Sequence, residues 1–379
     1  MIIKYLFRKH TITATAVGYF ANLVFFLSRK IYKRNLPDGL TLIIALHKLG
    51  DTVFTLPAIK AVIEKSKTKF IILCFEESET LYKIIFSKNQ NITYYTFDRS
   101  DMLWEGRVVP KRIKKTLYKK YKIRTILDLT GGIVSARIII NARVTSIVGC
   151  SEEFYKSLYD LFAPLRKTPH LMDMYIDSVK LLDRSLDAEK LKYFPPRYNP
   201  LDPLLIHPYA GWEAKEWGIQ KFIELAVNLS SIHKVKIILP KEKFDDDLRK
   251  IFSDNKIETI LTNTIEELGT VLRNCSLLIS NDSGPIQIAS LLGKPTFTIF
   301  GPTNPLFAIP FGEHHKFIYK KIGCSPGLNE QYCFTDAGRN GCPSFECMKR
   351  LKVEEVFLAV KNFLVTIKVL NTQSLEVMH

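Results

Sequence analysis

The sequence predicts an α/β protein built on parallel sheets, and three segments carry that expectation. In each, a short apolar run ends in a polar, glycine-bearing turn and gives way to a helical pattern: Leu42-Ile43-Ile44-Ala45-Leu46 before His47-Lys48-Leu49-Gly50-Asp51-Thr52, Leu204-Leu205-Ile206-His207 before Pro208-Tyr209-Ala210-Gly211-Trp212, and Leu277-Leu278-Ile279 before Ser280-Asn281-Asp282-Ser283-Gly284-Pro285. Strand, helix and strand in succession make a crossover unit, and such units build parallel sheets.

The remaining elements follow the same alternation. After the first strand, Leu56, Ile59, Val62 and Ile63 mark a helix. Strands are expected at Phe70-Ile71-Ile72-Leu73, Ile92-Thr93-Tyr94-Tyr95, Thr125-Ile126-Leu127-Asp128-Leu129 and Ser146-Ile147-Val148. The stretch 194–203 carries Pro195, Pro196, Pro200 and Pro203 and reads as a linker between two domains. Beyond it, strands are expected from Leu204, at Val235-Lys236-Ile237-Ile238-Leu239, near Ile257, at Leu277-Leu278-Ile279 and over Thr296 to Phe300, with a helix from Ile286 to Leu292. A last helix, about Val353 to Val369, has one apolar face formed by Val356, Phe357, Val360, Phe363 and Leu364.

Three motifs appear in order: Leu49-Gly50-Asp51, then His207-Pro208-Tyr209-Ala210-Gly211-Trp212-Glu213-Ala214-Lys215-Glu216-Trp217, then Asn281-Asp282-Ser283-Gly284-Pro285 followed by Gly293-Lys294-Pro295 and Phe300-Gly301-Pro302-Thr303. Together they resemble the ADP-heptose:lipopolysaccharide heptosyltransferases of glycosyltransferase family 9, over roughly Thr41 to Val360. The resemblance implies the GT-B architecture, two facing Rossmann-like domains with parallel sheets, here preceded by an N-terminal basic and apolar helix. The expected division is a membrane-associating segment 1–38, an acceptor-side domain 39–193, the linker 194–203, a nucleotide-sugar domain 204–350, and a C-terminal helix and tail 351–379 that returns to the first domain.

Composition bounds the rest. The 379 residues and 46% hydrophobic content suit a two-domain enzyme. The net charge of +16, with runs such as Lys111-Arg112-Ile113-Lys114-Lys115 and Lys119-Lys120-Tyr121-Lys122, favours an anionic partner. No zinc-finger spacing or RNP-type aromatic motif accompanies the charge, so nucleic acid is not the expected partner. An acidic membrane surface and a phosphorylated glycolipid are.

Between Arg8-Lys9-His10 and Arg29-Lys30 lies the uncharged stretch Thr11–Ser28, close to the lower limit of roughly 17 residues for a membrane span. Thr11, Thr13, Thr15 and Asn22 weaken a span, which leaves an interfacial helix with Phe20, Leu23, Val24, Phe25, Phe26 and Leu27 inserted and cations at headgroup level. Packing on the protein's own surface is the alternative. The expected location is peripheral, on the cytoplasmic face of the inner membrane.

Of the seven cysteines, Cys74, Cys150 and Cys275 fall in or beside core elements. Cys324, Cys333, Cys342 and Cys347 share one loop with C-x8-C-x8-C-x4-C spacing. That spacing lacks the close pairs of structural zinc sites, and no metal or other cofactor is assigned.

Transfer of a sugar from a nucleotide diphosphate needs a base, a countercharge for the leaving diphosphate and a clamp on the nucleotide. The resemblance implies Asp51 as the base of an inverting displacement, beside Gly50 where backbone approaches substrate. The bland alternative is that Asp51 caps a helix starting at Thr52. Lys215 is expected to neutralise the diphosphate, with Glu216 beside it where the family commonly has a basic residue. Asp282, Ser283 and Gly284 sit at a strand end before a helix N-terminus, where phosphate binds readily. Gln287 stands where many relatives have histidine; it offers hydrogen bonds but no charge. Asp246, in the acidic group after the strand ending at Leu239, is a candidate for the nucleoside hydroxyls, and Ser135 and Arg137 for the acceptor side. The expected reaction is heptose transfer from ADP-heptose to the lipopolysaccharide inner core. Transfer of another nucleotide sugar to a different surface glycan, and noncatalytic binding of a nucleotide sugar or glycolipid, stand as alternatives. A nicotinamide dehydrogenase is excluded because no G-x-G-x-x-G follows the first strand.

Overall fold

A computed structural model describes residues 11–86, 89–104, 109–166, 169–333, 342 and 344–376. It divides into two compact units: one holds residues up to 166 with 172–191, the other holds 167–171 with 192 onwards.

The first unit opens with helix α1 (Thr11–Tyr32), then β1 (Leu40–Ile44), α2 (Leu49–Lys65), β2 (Phe70–Phe75), α3 (Glu76–Phe86) and β3 (Ile92–Phe97). The basic helix α4 (Val109–Lys120) follows, then β4 (Ile123–Asp128), α5 (Gly132–Ile139), β5 (Ser146–Ser151), β6 (Leu161–Pro164) and α6 (Leu171–Lys180). The six strands form one sheet in the order β3-β2-β1-β4-β5-β6, and every pairing is parallel. Central strands covered on both faces must be apolar throughout, and Phe70–Phe75 is buried at every position.

The second unit repeats this order. Its strands are β7 (Leu204–His207), β8 (Val235–Pro240), β9 (Glu258–Thr262), β10 (Leu277–Asn281), β11 (Thr296–Phe300) and β12 (His315–Tyr319), arranged β12-β11-β10-β7-β8-β9, again all parallel. Between them run α7 (Ile219–Ser230), α8 (Asp246–Asp254), α9 (Ile265–Arg273) and α10 (Gly284–Leu291), and α11 (Val353–Glu376) closes the chain.

In both sheets the strand order reverses between the first and fourth strands, β1/β4 and β7/β10. That reversal opens a crevice at the carboxyl ends, where ligands of open parallel sheets bind. Edge strands β6 and β12 had no clear signal in the sequence. Leu161–Pro164 has only four residues, and His315–Tyr319 is mostly exposed or half-buried, so neither shows a long apolar run.

Val356, Val360, Phe363, Leu364 and Ile367 are buried in the core of the second unit, and α11 packs on α7. Its apolar stripe is buried within its own unit. The proline-bearing stretch is also held there, since the Arg197 N–H donates to Gly293 O at 2.7 Å.

Helix α1 packs on the first unit. Arg29 is buried and donates to Asp160 Oδ2 (2.9 and 2.6 Å), Val144 O (3.1 Å) and Thr145 O (2.8 Å). Phe25, expected among the membrane-facing residues, turns inward against Phe154 and Tyr155. Phe20, Leu23, Val24, Phe26 and Leu27 are exposed, as expected of a face not used by the fold. Arg8-Lys9-His10 lie outside the described residues. Among the described residues, no helix is long and apolar enough to cross a membrane.

Candidate functional site

In the first unit the crevice is built by the loops after β1 and β4. Helix α2 begins at Leu49 with Lys48 as its N-cap, and no side chain caps it. Gly50 and Asp51 therefore occupy its first turn, and Asp51 is exposed. A helix that starts before Thr52 removes the simple capping role for Asp51, while its dipole still favours an anion there. Thr52 ties the turn down, its hydroxyl donating to Ser78 Oγ (2.8 Å), which in turn donates to His47 O (3.0 Å).

His47 is kept neutral: burial lowers it to about 4, and its Nε2 lies 3.0 Å from Leu129 O. Across the crevice Asp128 ends β4 fully buried. Its carboxylate accepts from Tyr159 Oη (2.6 Å) and from the N–H groups of Thr130 (3.0 Å) and Gly131 (3.1 Å). Burial raises its carboxyl above the usual range. Gly131 has φ 66°, and a Cβ there would meet Cys150 O at 2.8 Å, so the turn into α5 requires glycine.

In the second unit the loops after β7, β10 and β11 converge. Lys215, in the 3₁₀ turn Glu213–Lys215, donates to Asp282 Oδ2 at 2.6 Å, and Thr303 Oγ1 donates to the same oxygen at 2.7 Å. The ammonium also lies 5.8 Å from the Trp212 ring centre. Lys215 is one-fifth exposed and Asp282 nearly buried, so the carboxylate fixes the cation while one side of it remains open.

The two loops are bound to each other by Asn281, which accepts from Trp217 N–H (3.1 Å) and donates to Pro208 O (2.7 Å), and by Ser280, which donates to His207 O (2.7 Å). His207 is held neutral by burial, which lowers it to about 4, with Nδ1 3.1 Å from Tyr209 O. Ser283 is the N-cap of α10 and its hydroxyl lies 3.0 Å from Ser280 Oγ, not on the helix. The first-turn N–H groups of α10 are thus left to an incoming acceptor.

A family model, glycosyltransferase family 9 (heptosyltransferase), matches residues 111–337. The chain belongs to glycosyltransferase family 9. This glycosyltransferase is 27% identical over 335 residues to lipooligosaccharide heptosyltransferase 2 of Campylobacter jejuni, covering 83% of the chain and 95% of the relative. A glycosyltransferase family 9 structure from Veillonella parvula superposes with a TM-score of 0.68 at 16% identity, covering 88% and 99%. That of Escherichia coli heptosyltransferase WaaC with ADP gives 0.60 at 15% identity, covering 86% and 99%. The two Rossmann-like units are those of the GT-B class.

In this glycosyltransferase the residues singled out from sequence divide into groups. Lys215, Asp282, Ser283 and Gly284 lie together at the carboxyl end of the second sheet. The Glu216 carboxylate accepts from the Ala210 N–H (3.0 Å) and braces the loop. Gln287 is buried; its Nε2 donates to Ala308 O (2.7 Å), and among the described residues its Oε1 has no partner. Asp246 is fully exposed on the first turn of α8, 3.7 Å from Arg249, while its neighbour Asp245 caps that helix through Leu248 N–H (2.8 Å).

Ser135 is buried, and its hydroxyl turns to Gly132 O (3.3 Å) and towards Asp128, so it supports the turn rather than lining a surface. Arg137 lies in the last turn of α5, where its charge is felt by Tyr155. The four late cysteines line one cavity of about 30 Å³ and carry free thiols. Among the described residues, no group of three His, Cys, Asp or Glu is placed to hold a metal. Asp128, Asn281 and Thr303 escaped the sequence reading, although Asn281 and Thr303 stand inside the quoted motifs.

Proposed function

We propose that this enzyme transfers heptose from ADP-heptose to the inner core of a lipopolysaccharide or lipooligosaccharide, with inversion, at the cytoplasmic face of the membrane. The observation that carries the reading is the fixed cation: Lys215 held by Asp282 and Thr303 beside the open N-terminus of α10. A nucleoside diphosphate is the ligand such a site suits, because one positive charge and several N–H donors meet its phosphates. Similarity to the C. jejuni lipooligosaccharide heptosyltransferase, and to a WaaC structure solved with ADP, supports both acceptor class and nucleotide.

In the proposed displacement, the acceptor hydroxyl oxygen forms a bond to the anomeric carbon as the bond from that carbon to the diphosphate breaks. The hydroxyl proton passes to the Asp51 carboxylate, and the electron pair leaves with ADP. Lys215 and the N–H groups of the Ser283-Gly284 turn meet the charge that develops there. Gly50 lets the backbone come close to substrate, and the unpartnered Oε1 of Gln287 offers an acceptor. Helix α2 stabilises Asp51 as an anion and weakens it as a base, so proton transfer comes late, after the sugar has gained oxocarbenium character. Lys215 supplies the countercharge, and chelators are expected to leave the rate unchanged.

The test is transfer by purified enzyme to lipopolysaccharide from a heptose-deficient strain, comparing ADP-heptose with UDP- and GDP-sugars. Asp51→Ala is expected to lower kcat about a thousand-fold. Transfer from another donor alone overturns the heptose assignment, and ADP binding without transfer from any donor leaves a binding protein.

A further inference from the structure

Helix α1 turns an apolar stripe outward. The side that meets the first unit is mixed: Phe25 packs on Phe154 and Tyr155, Ser28 donates to Asn141 Oδ1 (2.7 Å), Arg29 is buried on Asp160, and Asn22 Oδ1 accepts from Ser157 Oγ (3.1 Å). The outer side carries Phe20, Leu23, Val24, Leu27 and Ile31, spaced as one helical stripe and all exposed, Phe20 and Ile31 by 68% and 60%. A helix held only by the hydrophobic effect would turn this stripe inward.

Next to the carboxyl end of α1 is a cavity of about 630 Å³, whose lining includes Lys111, Lys114, Lys115, Lys122, Arg143 and Tyr118, with no acidic residue. The two features adjoin, since the Arg143 guanidinium lies 6.0 Å from the Tyr32 ring centre and Asn141, also in the lining, bonds Ser28. Lys122 is paired with Asp38. Among the described residues Lys111, Lys114, Lys115 and Arg143 have no carboxylate partner. Lys114 is half-buried, its ammonium donating to Ile140 O, and burial lowers its pKa. A desolvated cation with no countercharge is the mark of a site that awaits an anion.

This cavity is not near the crevice. Lys122 and Ile123 begin β4 and Arg143 precedes β5, so it opens at the amino edge of the sheet, about 17 Å along the strand from Asp128. The basic run therefore lies at the other end of the first sheet from Asp51.

We propose that the outer stripe of α1 and this basic cavity form one docking surface for an anionic phospholipid bilayer, the cavity taking a lipid phosphate headgroup and the stripe entering the acyl boundary. The charge complementarity selects an anionic bilayer over a neutral one, and the stripe gives the surface an apolar component that free phosphate cannot use. The proposal is independent of the donor and of the transfer chemistry.

The experiment is flotation of the purified full chain with vesicles of phosphatidylcholine alone or with about one-third phosphatidylglycerol. The chain is expected to partition onto the anionic vesicles only. The variant Lys111→Ala/Lys115→Ala/Arg143→Ala should lose about five-fold per cation, roughly a hundred-fold together. Lys111→Arg/Lys115→Arg should retain binding, and Leu27→Gln/Ile31→Gln should lose about ten-fold or more through the stripe. All substituted side chains are exposed, the half-buried Lys114 is left in place, and unchanged thermal midpoints check that the variants fold. Equal partition onto neutral vesicles, undiminished binding by the triple variant, or release by millimolar inorganic phosphate overturns the proposal. So does a dimer in light scattering that Leu27→Gln/Ile31→Gln dissociates, which would make a second copy the occupant.

Discussion

At the scale of single residues, burial decides which polar groups are chemical and which are structural. Asp282 was singled out in the sequence because it directly follows a strand end, and Lys215 because it stands in the motif that follows β7. What sequence could not show is that Thr303, far along the chain, donates to the same carboxylate oxygen as Lys215. Ser135, singled out because it follows the strand-end loop after Asp128, sits buried under a turn. His207 illustrates a structural polar group with a measurable signature. In the unfolded chain it titrates near 6.5, in the fold near 4, so between these values the unfolded chain binds more protons. Its contribution to stability is therefore complete above the unfolded value and is lost as the pH falls towards 4. Urea unfolding at pH 7 and pH 5 should show a drop about 2 kcal/mol smaller in His207→Asn than in the parent. An equal drop in both would mean that His207 is protonated in the fold.

At the scale of elements, the interior strands were legible because both faces are covered and their residues are continuously apolar. Boundaries shifted where capping is by backbone: α2 begins before Asp51, at Leu49, although nothing in its sequence announces a cap. Helix α1 was legible as apolar with basic flanks, but its orientation was not, because Arg29 reads as a headgroup cation and is in fact the buried anchor. Although burial pushes Asp160 up, its bonds from Arg29 and Lys33 carry it below the usual carboxylate value. Removing the guanidinium leaves Asp160 and the carbonyls of Val144 and Thr145 without these donors. Arg29→Ala should weaken docking of α1 by about 3 kcal/mol, and Arg29→Lys should restore little, since an ammonium cannot span all three acceptors. Hydrogen exchange in residues 20–32 should rise by roughly two orders of magnitude while β1 and β4 keep their protection. Unchanged exchange would show that Phe25 and its aromatic neighbours hold the helix alone.

At the scale of the whole molecule, the repeat of one strand order in two units distributes the proposed chemistry between them. The groups suited to the nucleotide, Lys215 with Asp282, Thr303 and the α10 N-terminus, all belong to the second unit, and Asp51 belongs to the first. That division was legible from the order of the three motifs along the chain, whereas the packing of α11 was not, because an amphipathic stripe specifies a partner surface without saying which. It has a consequence for binding and rate. Asp51→Asn keeps the shape of the side chain and removes its basicity, so it should lower kcat about a thousand-fold while ADP affinity, measured by calorimetry, stays within about two-fold. Lys215→Ala should weaken ADP by about ten-fold or more and also lower kcat, because the cation meets the diphosphate both when bound and when leaving. If Asp51→Asn weakened ADP as much as Lys215→Ala does, the nucleotide would be bound by both units, and the assignment of Asp51 to proton transfer alone would fail.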